Sequence, residues 1–354
     1  MTGCKDKPFA DFIPFYSPIP EILSKFAAMP LKLTTYYHGN DIPELPGNNT
    51  FHSTGLFRIY EATPGYTPLL IVASEGERCV AKLLAVVRRS VRMFPPDVIK
   101  RCEVYGTGEY FDDTADKEAI FSELLQRLTD EALRNAFLIE FRNLDNAKFG
   151  YKFFRQNRYF AINWMRVYNS LHSVEDVKER FSPSRLRQIR KGLKNGAQVK
   201  EAHSMEEIME LARMLRNNYS SKIRRHFPSI LFFQNLEEHL REGQSSIFIV
   251  TYKNKIIGGS ACVYSGETAY LWFSGGMRKT YALQYPGILA VWKAMDDAKQ
   301  RGYQHIEFMD VGLPFRKHGY REFVLRFGGK QSSTRRWFRF RWNWLNRVRA
   351  KMFE

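Results

Sequence analysis

The sequence predicts an α/β protein with two similar modules, each a mixed central sheet flanked by helices. The first observation is a repeated order, because a hairpin, an amphipathic helix and a short apolar strand follow one another in both halves. The second is composition: 44% hydrophobic and 26% charged residues are typical of a globular protein. The third is length, since 354 residues suffice for two domains of about 150 residues each.

In the first half, apolar runs at residues 69–73 and 79–87 predict two strands of a hairpin. Apolar residues then recur at helical spacing over residues 121–133, and residues 137–141 predict a short closing strand. Residues 1–56 are rich in Pro, Gly and Asn. We therefore expect them to form an extended lead-in with little structure of its own.

The second half repeats this order. Strands are predicted at residues 247–252, 256–264 and 268–274, the first two around a short turn. An amphipathic helix follows over residues 288–298, and residues 304–310 predict the closing strand. Both closing strands contain the letters Ile-Glu-Phe, so the order of elements and the sequence both favour a duplicated module.

These elements define the expected domains. The first module spans residues 57–168 and the second spans residues 169–334. A basic connecting helix is predicted at residues 180–196, and a further helix begins after the capping box at Ser204. Residues 335–354 form a separate C-terminal segment in which arginines and aromatic residues interleave.

Charge and cysteine usage limit the possible functions. The chain has 54 Lys and Arg against 37 Asp and Glu, a net charge of +17, which predicts an anionic partner such as phosphates, nucleic acid or an acidic membrane surface. Its four cysteines form no CxxC pair, so we expect no disulfide framework, no metal site and a cytoplasmic location. We find no signal peptide, no membrane-spanning run, no phosphate-binding P-loop, no dinucleotide fingerprint and no hydrolase elbow.

Four stretches, taken in order, carry a resemblance to a known family. They are the basic block at 184–196, the hairpin at 247–264 with its Gly258-Gly259 pair, the Tyr-Pro-Gly-Ile-Leu run at 285–289, and the ending at 319–329. Together they resemble the tandem form of the GNAT acyltransferase superfamily. That form includes the Fem-type peptidoglycan aminoacyltransferases and acetyltransferases of polysaccharide-synthesis clusters.

The resemblance implies a donor site in the second module. In the family, an amine directly attacks a thioester or ester carbonyl, and the donor lies between two splayed central strands. This implies that Phe273 and Ser274 lie nearest the donor carbonyl, with acyl-CoA as co-substrate. The loop before the long helix lacks the family's glycine spacing for pyrophosphate and keeps only Gln284 and Gly287.

Four residues are candidates for the catalytic groups. Glu307 and Asp310 lie at or just beyond the closing strand, and His318 has a side chain that titrates near neutrality. Tyr285, like Tyr320, could protonate the leaving group or line the acceptor pocket. Each also has a structural interpretation: a satisfied polar residue on the sheet for Glu307, a turn cap for Asp310, a surface loop for His318, and packing for the tyrosines.

The basic block has two interpretations. Its cations suit the phosphate groups of a donor or acceptor, and they equally suit a solvated helix face. The candidate phosphate-binding residues are Arg185, Arg190, Lys191 and Lys194.

The C-terminal segment has three interpretations. It could lie on a membrane surface, stack on single-stranded RNA, or supply a final sheet strand over residues 335–342. For residues 344–353 a membrane-surface or partner role is favoured.

The resulting hypothesis is an N-acyltransferase with the reacting groups in its second module. It would transfer an acyl group from acyl-CoA to an amine of a sugar, amino acid or cell-envelope precursor, while the first module shapes the acceptor cleft. It would be cytoplasmic or peripheral at the inner face of the membrane. The alternatives are a Fem-type transferase that takes its acyl group from aminoacyl-tRNA and modifies a peptidoglycan precursor, and a non-catalytic double-GNAT protein that binds RNA or membrane.

Overall fold

The chain forms one continuous mixed sheet with helices packed on both of its faces. The computed structural model describes residues 31–89, 100–111, 116–144, 146–220, 227–240 and 243–353, and these contain a sheet of 13 strands. The sheet is mixed: β4 (Lys100–Tyr105) pairs in parallel with β6 (Leu138–Arg142), whereas β2 and β3 pair antiparallel. The predicted α/β class with a mixed sheet is confirmed.

The remaining elements of the first half follow in chain order. They are β1 (Leu31–Tyr36), α1 (Thr54–Glu61), β2 (Tyr66–Glu75), β3 (Arg78–Arg89), β5 (Glu109–Tyr110), α2 (Lys117–Asn135), α3 (Tyr151–Gln156) and β7 (Phe160–Ser170).

The second half begins with the predicted basic helix. Its elements are α4 (Pro183–Lys194), β8 (Gln198–Glu201), α5 (Met205–Asn218), α6 (Ile230–His239), β9 (Ser245–Tyr252), β10 (Lys255–Ser265), β11 (Thr268–Gly276), α7 (Pro286–Gln300), β12 (His305–Phe308), α8 (Gly319–Leu325), β13 (Lys330–Phe340) and α9 (Asn343–Phe353).

The order of strands in space departs from the order in the sequence at the centre of the sheet. Along the sheet the order is β1-β2-β3-β4-β6-β13-β7-β12-β11-β10-β9-β8. Strand β7, the last of the first half, pairs with β12, and β13, the last of the second half, pairs with β6. Each half of the sheet is therefore completed by a strand from the other half. The expected boundaries at residues 168 and 334 fall inside these exchanged strands.

Both exchanged strands are fastened by the same kind of ion pair. On β13, Arg336 lies 2.8 Å from Glu140 of β6. On β7, Arg166 lies 2.6 Å from Glu307 of β12. Both glutamates are buried, and Glu140 is also paired with Arg101 and Arg142, so removal of either glutamate would leave arginine charge in the sheet without this partner. The pairs thus favour one register of each exchanged strand over its alternatives.

The Gly258-Gly259 pair lets two helices approach β10 from opposite faces. A methyl group on Gly258 would lie 2.8 Å from the Pro286 side chain of α7, and one on Gly259 would lie 2.4 Å from Leu211 of α5. Successive residues of a strand point to opposite faces. Only glycine fits both contacts without a shift of one helix.

The two ends of the described chain bear on earlier expectations, one by contradicting an expectation and one by deciding between alternatives. Residues 31–56 were expected to have little structure, yet β1 extends the sheet through full pairing with β2, and α1 packs on the same hairpin. Apolar residues within this stretch, such as Phe51 and Leu56, are buried, which the abundance of Pro and Gly obscured. Residues 1–30 lie outside the described residues. At the other end, residues 335–340 form part of β13, as the strand interpretation proposed.

Trp337 anchors β13 in the first-half core and provides a test of the exchange. It is fully buried and stacks on Phe154 with ring centroids 4.6 Å apart. We predict that Trp337→Ala lowers the free energy of unfolding by about 3–5 kcal/mol, because a large cavity replaces the indole. Trp342→Ala, at a half-exposed tryptophan just beyond the strand, should cost about 0.5 kcal/mol. Urea unfolding measures both, and equal costs would contradict the central placement of β13.

Candidate active site

Strands β11 and β12 separate within the second half of the sheet. They pair in parallel from Thr268 opposite His305 to Leu271 opposite Phe308, where β12 ends. Strand β11 continues for five more residues to Gly276, and β10 alone pairs with this extension among the described residues. Phe273 and Ser274 lie on it. The split leaves this part of β11 without a strand on its second side, although two of its carbonyls, those of Ser274 and Gly276, accept hydrogen bonds from Tyr219 and Asn218.

A β-bulge sits at the beginning of this extension. Ala261 of β10 pairs with Phe273 and Cys262 pairs with Leu271, so Trp272 is the extra residue. A bulge bends the strand and re-aims its side chains. Trp272 and Phe273 stack on one another with centroids 5.5 Å apart, and both line a cavity between the two modules.

The first turn of α7 lies against the end of β11. Tyr285 caps the helix with a left-handed backbone, at φ 49°, and its side chain makes no capping hydrogen bond. A methyl group on Gly276 would lie 2.5 Å from the amide nitrogen of Gly287, and one on Gly192 would lie 2.6 Å from the Gln284 carbonyl oxygen. The structure thus places Gly287 next to the end of β11 and the Gln284 backbone against α4, with a helix N-terminus that favours anions.

Arg185 is a buried cation with no carboxylate partner among the described residues. Its guanidinium lies over the rings of Phe323 and Phe327 and donates to the Gln188 side chain and the Phe323 carbonyl. Burial, together with the nearby charges of Arg326 and Arg278, lowers its pKa to about 10. The positive charges of Arg185, Arg278 and Arg326 thus act on one another, and a bound anion would relieve their repulsion.

The other cations of α4 lie elsewhere. Arg185 and Gly192 share the buried face of the helix, whereas Arg190, Lys191 and Lys194 are exposed. Of the four predicted phosphate-binding residues, the structure therefore places only Arg185 in a packed environment.

Ser274 lies between two tyrosine hydroxyls. Tyr219, at the end of α5, donates to the Ser274 carbonyl at 2.8 Å, and the Tyr320 hydroxyl lies 3.5 Å from the Ser274 hydroxyl. Burial raises the pKa of Tyr320 above its usual value, so the phenol keeps its proton at neutral pH. The Tyr320 hydroxyl thus lies beside Ser274 of β11, although the two residues are 46 positions apart in the sequence.

Asp310 follows β12 and lies between two guanidinium groups. It pairs with Arg142 at 3.3 Å and with Arg336, and its backbone is left-handed at φ 59°. Its carboxylate is half-exposed, and partial desolvation favours the protonated form, but Arg142 and Arg336 outweigh this and hold the pKa of Asp310 well below its usual value. A carboxylate with such a low pKa is a weak proton acceptor near neutrality.

Glu307 and His318 have different surroundings. Glu307 is buried and fastened to Arg166, as Glu140 is fastened to Arg336 in the other half. His318 is half-buried before α8, and its Nδ1 has no hydrogen-bond partner among the described residues. Burial, followed by the charge of Arg321, lowers the pKa of His318, so its ring is neutral near pH 7.

The split between two parallel strands beside a helix N-terminus agrees with a match found for this part of the sequence. Residues 183–317 match the family model described as acetyltransferase (GNAT) domain. These residues of the second module form a GNAT domain.

Solved structures extend this similarity to both modules. The chain is similar to FemX, with 12% identity and a TM-score of 0.59 over 87% of this chain and 95% of that one. It is also similar to a tandem GNAT protein from the clavulanic acid biosynthesis pathway, with 11% identity and a TM-score of 0.55 over 88% of this chain and 99% of that one. A third similar structure is the C-terminal domain of a putative lysylphosphatidylglycerol synthetase from Agrobacterium fabrum. It has 11% identity and a TM-score of 0.56 over 85% of this chain and 91% of that one. No curated protein sequence matches the chain.

At these identities the solved structures establish the fold, which is that of tandem GNAT proteins. The interpretation of the chain as a GNAT-type acyltransferase with two modules is confirmed. In the described part of the chain, no helix has the length and apolar character needed to cross a membrane. The same residues contain no group of His, Cys, Asp and Glu that could hold a metal ion.

Sequence reasoning missed the charged residues that the first module contributes to the GNAT domain. Arg142 pairs with Glu103 at 3.5 Å and with Glu140 at 3.2 Å, while Arg88 pairs with Glu103 at 2.8 Å. A signal was present, because Glu140 interrupts an apolar strand at the position that Glu307 occupies in the second module. The partners on neighbouring strands could be found only from the pairing.

Glu103 makes the stability of this network dependent on pH. Burial raises its pKa, but Arg142 and Arg88 outweigh burial and lower it to about 2 from about 4.5. A depressed carboxyl pKa contributes stability that is present above pH 4.5 and is lost as the pH falls toward 2. We predict that Glu103→Gln is less stable at pH 7 and flattens the loss of stability between pH 5 and about 3.

Urea midpoints at several pH values measure this effect. Glu210→Gln, at an exposed helix residue, is the matched control and should retain the wild-type slope. Parallel pH profiles for the wild type and Glu103→Gln would show that the network does not hold Glu103 ionised.

Proposed function

We propose that the chain is an N-acyltransferase whose acyl donor is an acyl-CoA. The observation that carries this proposal is the split between β11 and β12 beside the first turn of α7. The open edge of β11 offers backbone groups to an acyl carbonyl, and a thioester arm can lie along the strand. The helix N-terminus and the cations around Arg185 supply positive charge for the phosphates of CoA.

In the described residues, the first module differs from the second at the helix N-terminus beside the split, which supports placing the chemistry in the GNAT domain. Strand β4 pairs with β6 through its last residue, Tyr105, and the chain continues only as the two-residue β5, which pairs with β3. The helix that follows, α2, is capped by the carboxylate of Asp116, with Glu118 in its first turn. Negative charge already occupies the helix N-terminus that would have to hold a phosphate.

The transfer needs a proton acceptor for the amine and a proton donor for the departing thiolate. Tyr320 is the proposed donor, since its protonated hydroxyl lies beside Ser274 on the open strand. His318 is the proposed acceptor, because Glu307 and Asp310 are engaged in ion pairs. Tyr285 then serves to set the entry of the chain into α7.

Acyl-CoA binding is the direct test of the donor. We predict that CoA or one acyl-CoA at 100 times its dissociation constant stabilises the protein by about 2.7 kcal/mol, a clear rise in melting temperature. Thiol release in the presence of an amine would then report turnover. Stabilisation by charged tRNA and by no CoA ester would instead support the aminoacyl-tRNA alternative, and stabilisation by neither would contradict both.

Two phenol substitutions separate catalysis from packing. Tyr320→Phe should lower kcat about 100-fold with little change in CoA binding, because it removes only the proton donor. Tyr285→Phe keeps the ring and the helix cap, so it should retain kcat within about twofold of the wild type, a ratio worth less than 1 kcal/mol.

We also propose that the exposed face of α9, with Trp342 just before it, contacts an anionic membrane surface. Trp342, Trp344 and Val348 are half-exposed or more, and Arg347 and Arg349 lie on the same short helix and are exposed. Indole rings favour the headgroup region and arginines pair with lipid phosphates. The net charge of +17 adds to this attraction.

Vesicles of stated composition test the contact. The wild type should sediment with phosphatidylcholine vesicles that contain about one third phosphatidylglycerol, and Trp344→Ala with Val348→Ala should bind about tenfold more weakly, as expected for lost apolar burial. Leu231→Ala is the control, because Leu231 is an exposed apolar residue on α6 and not on α9. Equal binding by the double variant, or retention by single-stranded RNA and not by vesicles, would overturn the proposal.

A further inference from the structure

The loop between β12 and α8 carries His318 and lies at the split in the sheet. We call residues 311–318 the β12–α8 loop. Asp310 precedes the loop directly beyond β12, and Tyr320, which follows it, lies beside Ser274 of β11. The position of the proposed proton acceptor therefore depends on the path of this loop.

One buried guanidinium holds the backbone of the β12–α8 loop. One terminal nitrogen of Arg321 donates to the carbonyl oxygens of Val311 at 3.3 Å and Leu313 at 2.7 Å, and the other donates to that of Arg316 at 2.6 Å. The side chain is buried and has no carboxylate partner in the part of the chain that the structure describes. Because a guanidinium is planar and its donors have fixed directions, the three carbonyls are held in one relative arrangement.

The path of the loop is one that needs such support. Gly312 has a left-handed backbone at φ 86°, and Asp310, just before the loop, has one at φ 59°. Left-handed conformations at residues other than glycine are uncommon and persist where the surrounding structure fixes them. A second contact comes from β7, where the Met165 amide donates to the Gly312 carbonyl at 2.9 Å.

The His318 ring is placed by packing on this loop. A methyl group on Gly312 would lie 2.7 Å from Cδ2 of His318 and 3.2 Å from its Nε2, so the ring packs directly on the glycine backbone. Neither ring nitrogen has a hydrogen-bond partner among the described residues. A catalytic base is commonly oriented by a hydrogen bond from a third group. Here the backbone that Arg321 holds takes the place of that hydrogen bond.

Two charges act on the His318 ring from the elements around it. Arg321 on α8 disfavours the imidazolium form, whereas Asp310 beyond β12 favours it and is itself paired with Arg142 and Arg336. Burial and Arg321 outweigh Asp310, so the pKa of His318 lies below its usual value. Arg321 thus acts on the ring in two ways, through the loop beneath it and through its charge.

We propose that Arg321 is a positioning residue of the acyl transfer, which ties the β12–α8 loop and so holds the His318 ring where the acceptor amine gives up its proton. The proposal rests on the acyltransferase function proposed above, in which His318 takes one proton from the amine as the amide bond forms and the carbon–sulfur bond breaks. Arg321 touches neither donor nor acceptor in this role. Loss of the tether therefore slows the chemical step and leaves donor binding unchanged.

Two substitutions of Arg321 separate its hydrogen bonds from its charge. Arg321→Lys keeps the charge, but an ammonium cannot reproduce the planar set of three bonds, so kcat should fall about 10–100-fold while the acidic limb of the pH–rate profile stays in place. Arg321→Met loses both, so kcat should fall at least as far and the acidic limb should move to higher pH. The Kd of CoA should remain within about twofold of the wild type in both variants.

Arg316→Met is the matched control. Its exposed side chain carries the same charge on the same loop, and the backbone carbonyl that Arg321 holds is unchanged by the substitution. The control should retain the kcat and the pH profile of the wild type. A wild-type kcat in Arg321→Lys, an unmoved acidic limb in Arg321→Met, or equal losses in Arg316→Met would overturn the proposal. If urea unfolding shows that Arg321→Met does not fold, Arg321→Lys decides.

A spectroscopic measurement separates this proposal from the proposed function. If His318→Gln keeps the wild-type kcat, or if no amine is acylated, the proposed function fails at its proton acceptor or its donor. Nuclear Overhauser contacts between the His318 ring and the Gly312 α protons, with the ring signal identified by its loss in His318→Gln, then decide whether Arg321 places the ring. Loss of these contacts in Arg321→Lys and their retention in Arg316→Met support the placement, and their retention in both variants contradicts it.

Discussion

The architecture depends on one ion pair that occurs twice, between a buried glutamate in each closing strand and an arginine on the strand that arrives from the other half. Arg336 reaches Glu140 and Arg166 reaches Glu307 in the same way. Sheet pairing alone would tolerate a register slip, but a slip would move each arginine away from the buried glutamate that it contacts. The duplicated modules are therefore joined into one sheet at a defined register, and neither half is complete without the other.

That junction also lies beside a cavity between the two modules. Because β13 lies between β6 and β7, Arg336 contacts both Glu140 of the first module and Asp310 of the second. Asp310 in turn lines the cavity together with Arg142 of the first module, so the wall is assembled from residues far apart in sequence. A chain with two separate GNAT modules side by side would place the same residues without this convergence.

The sequence was sufficient for the modules and insufficient for their connection. Periodicity located the hairpins, α2, α7 and both closing strands, because each is a local pattern of buried side chains. The exchange of β7 and β13 depends on pairing between strands distant in sequence, which no local pattern encodes. For the site, the family resemblance pointed to Phe273 and Ser274, which lie on the open extension of β11, whereas the ion pairs of Asp310 and Glu307 required knowledge of the neighbouring strands.

The two modules have diverged in the features that hold a donor, although their elements correspond. In the second module β11 outruns β12, and an uncapped helix N-terminus meets the open strand. In the first module only the two-residue β5 continues beyond the β4–β6 pairing, and Asp116 caps the corresponding helix. Instead, the first module contributes Arg88 of β3 and Arg142 of β6, both paired with Glu103, to the cavity beside the split. One copy thus supplies the open strand and the helix N-terminus, and the other supplies part of the wall next to them.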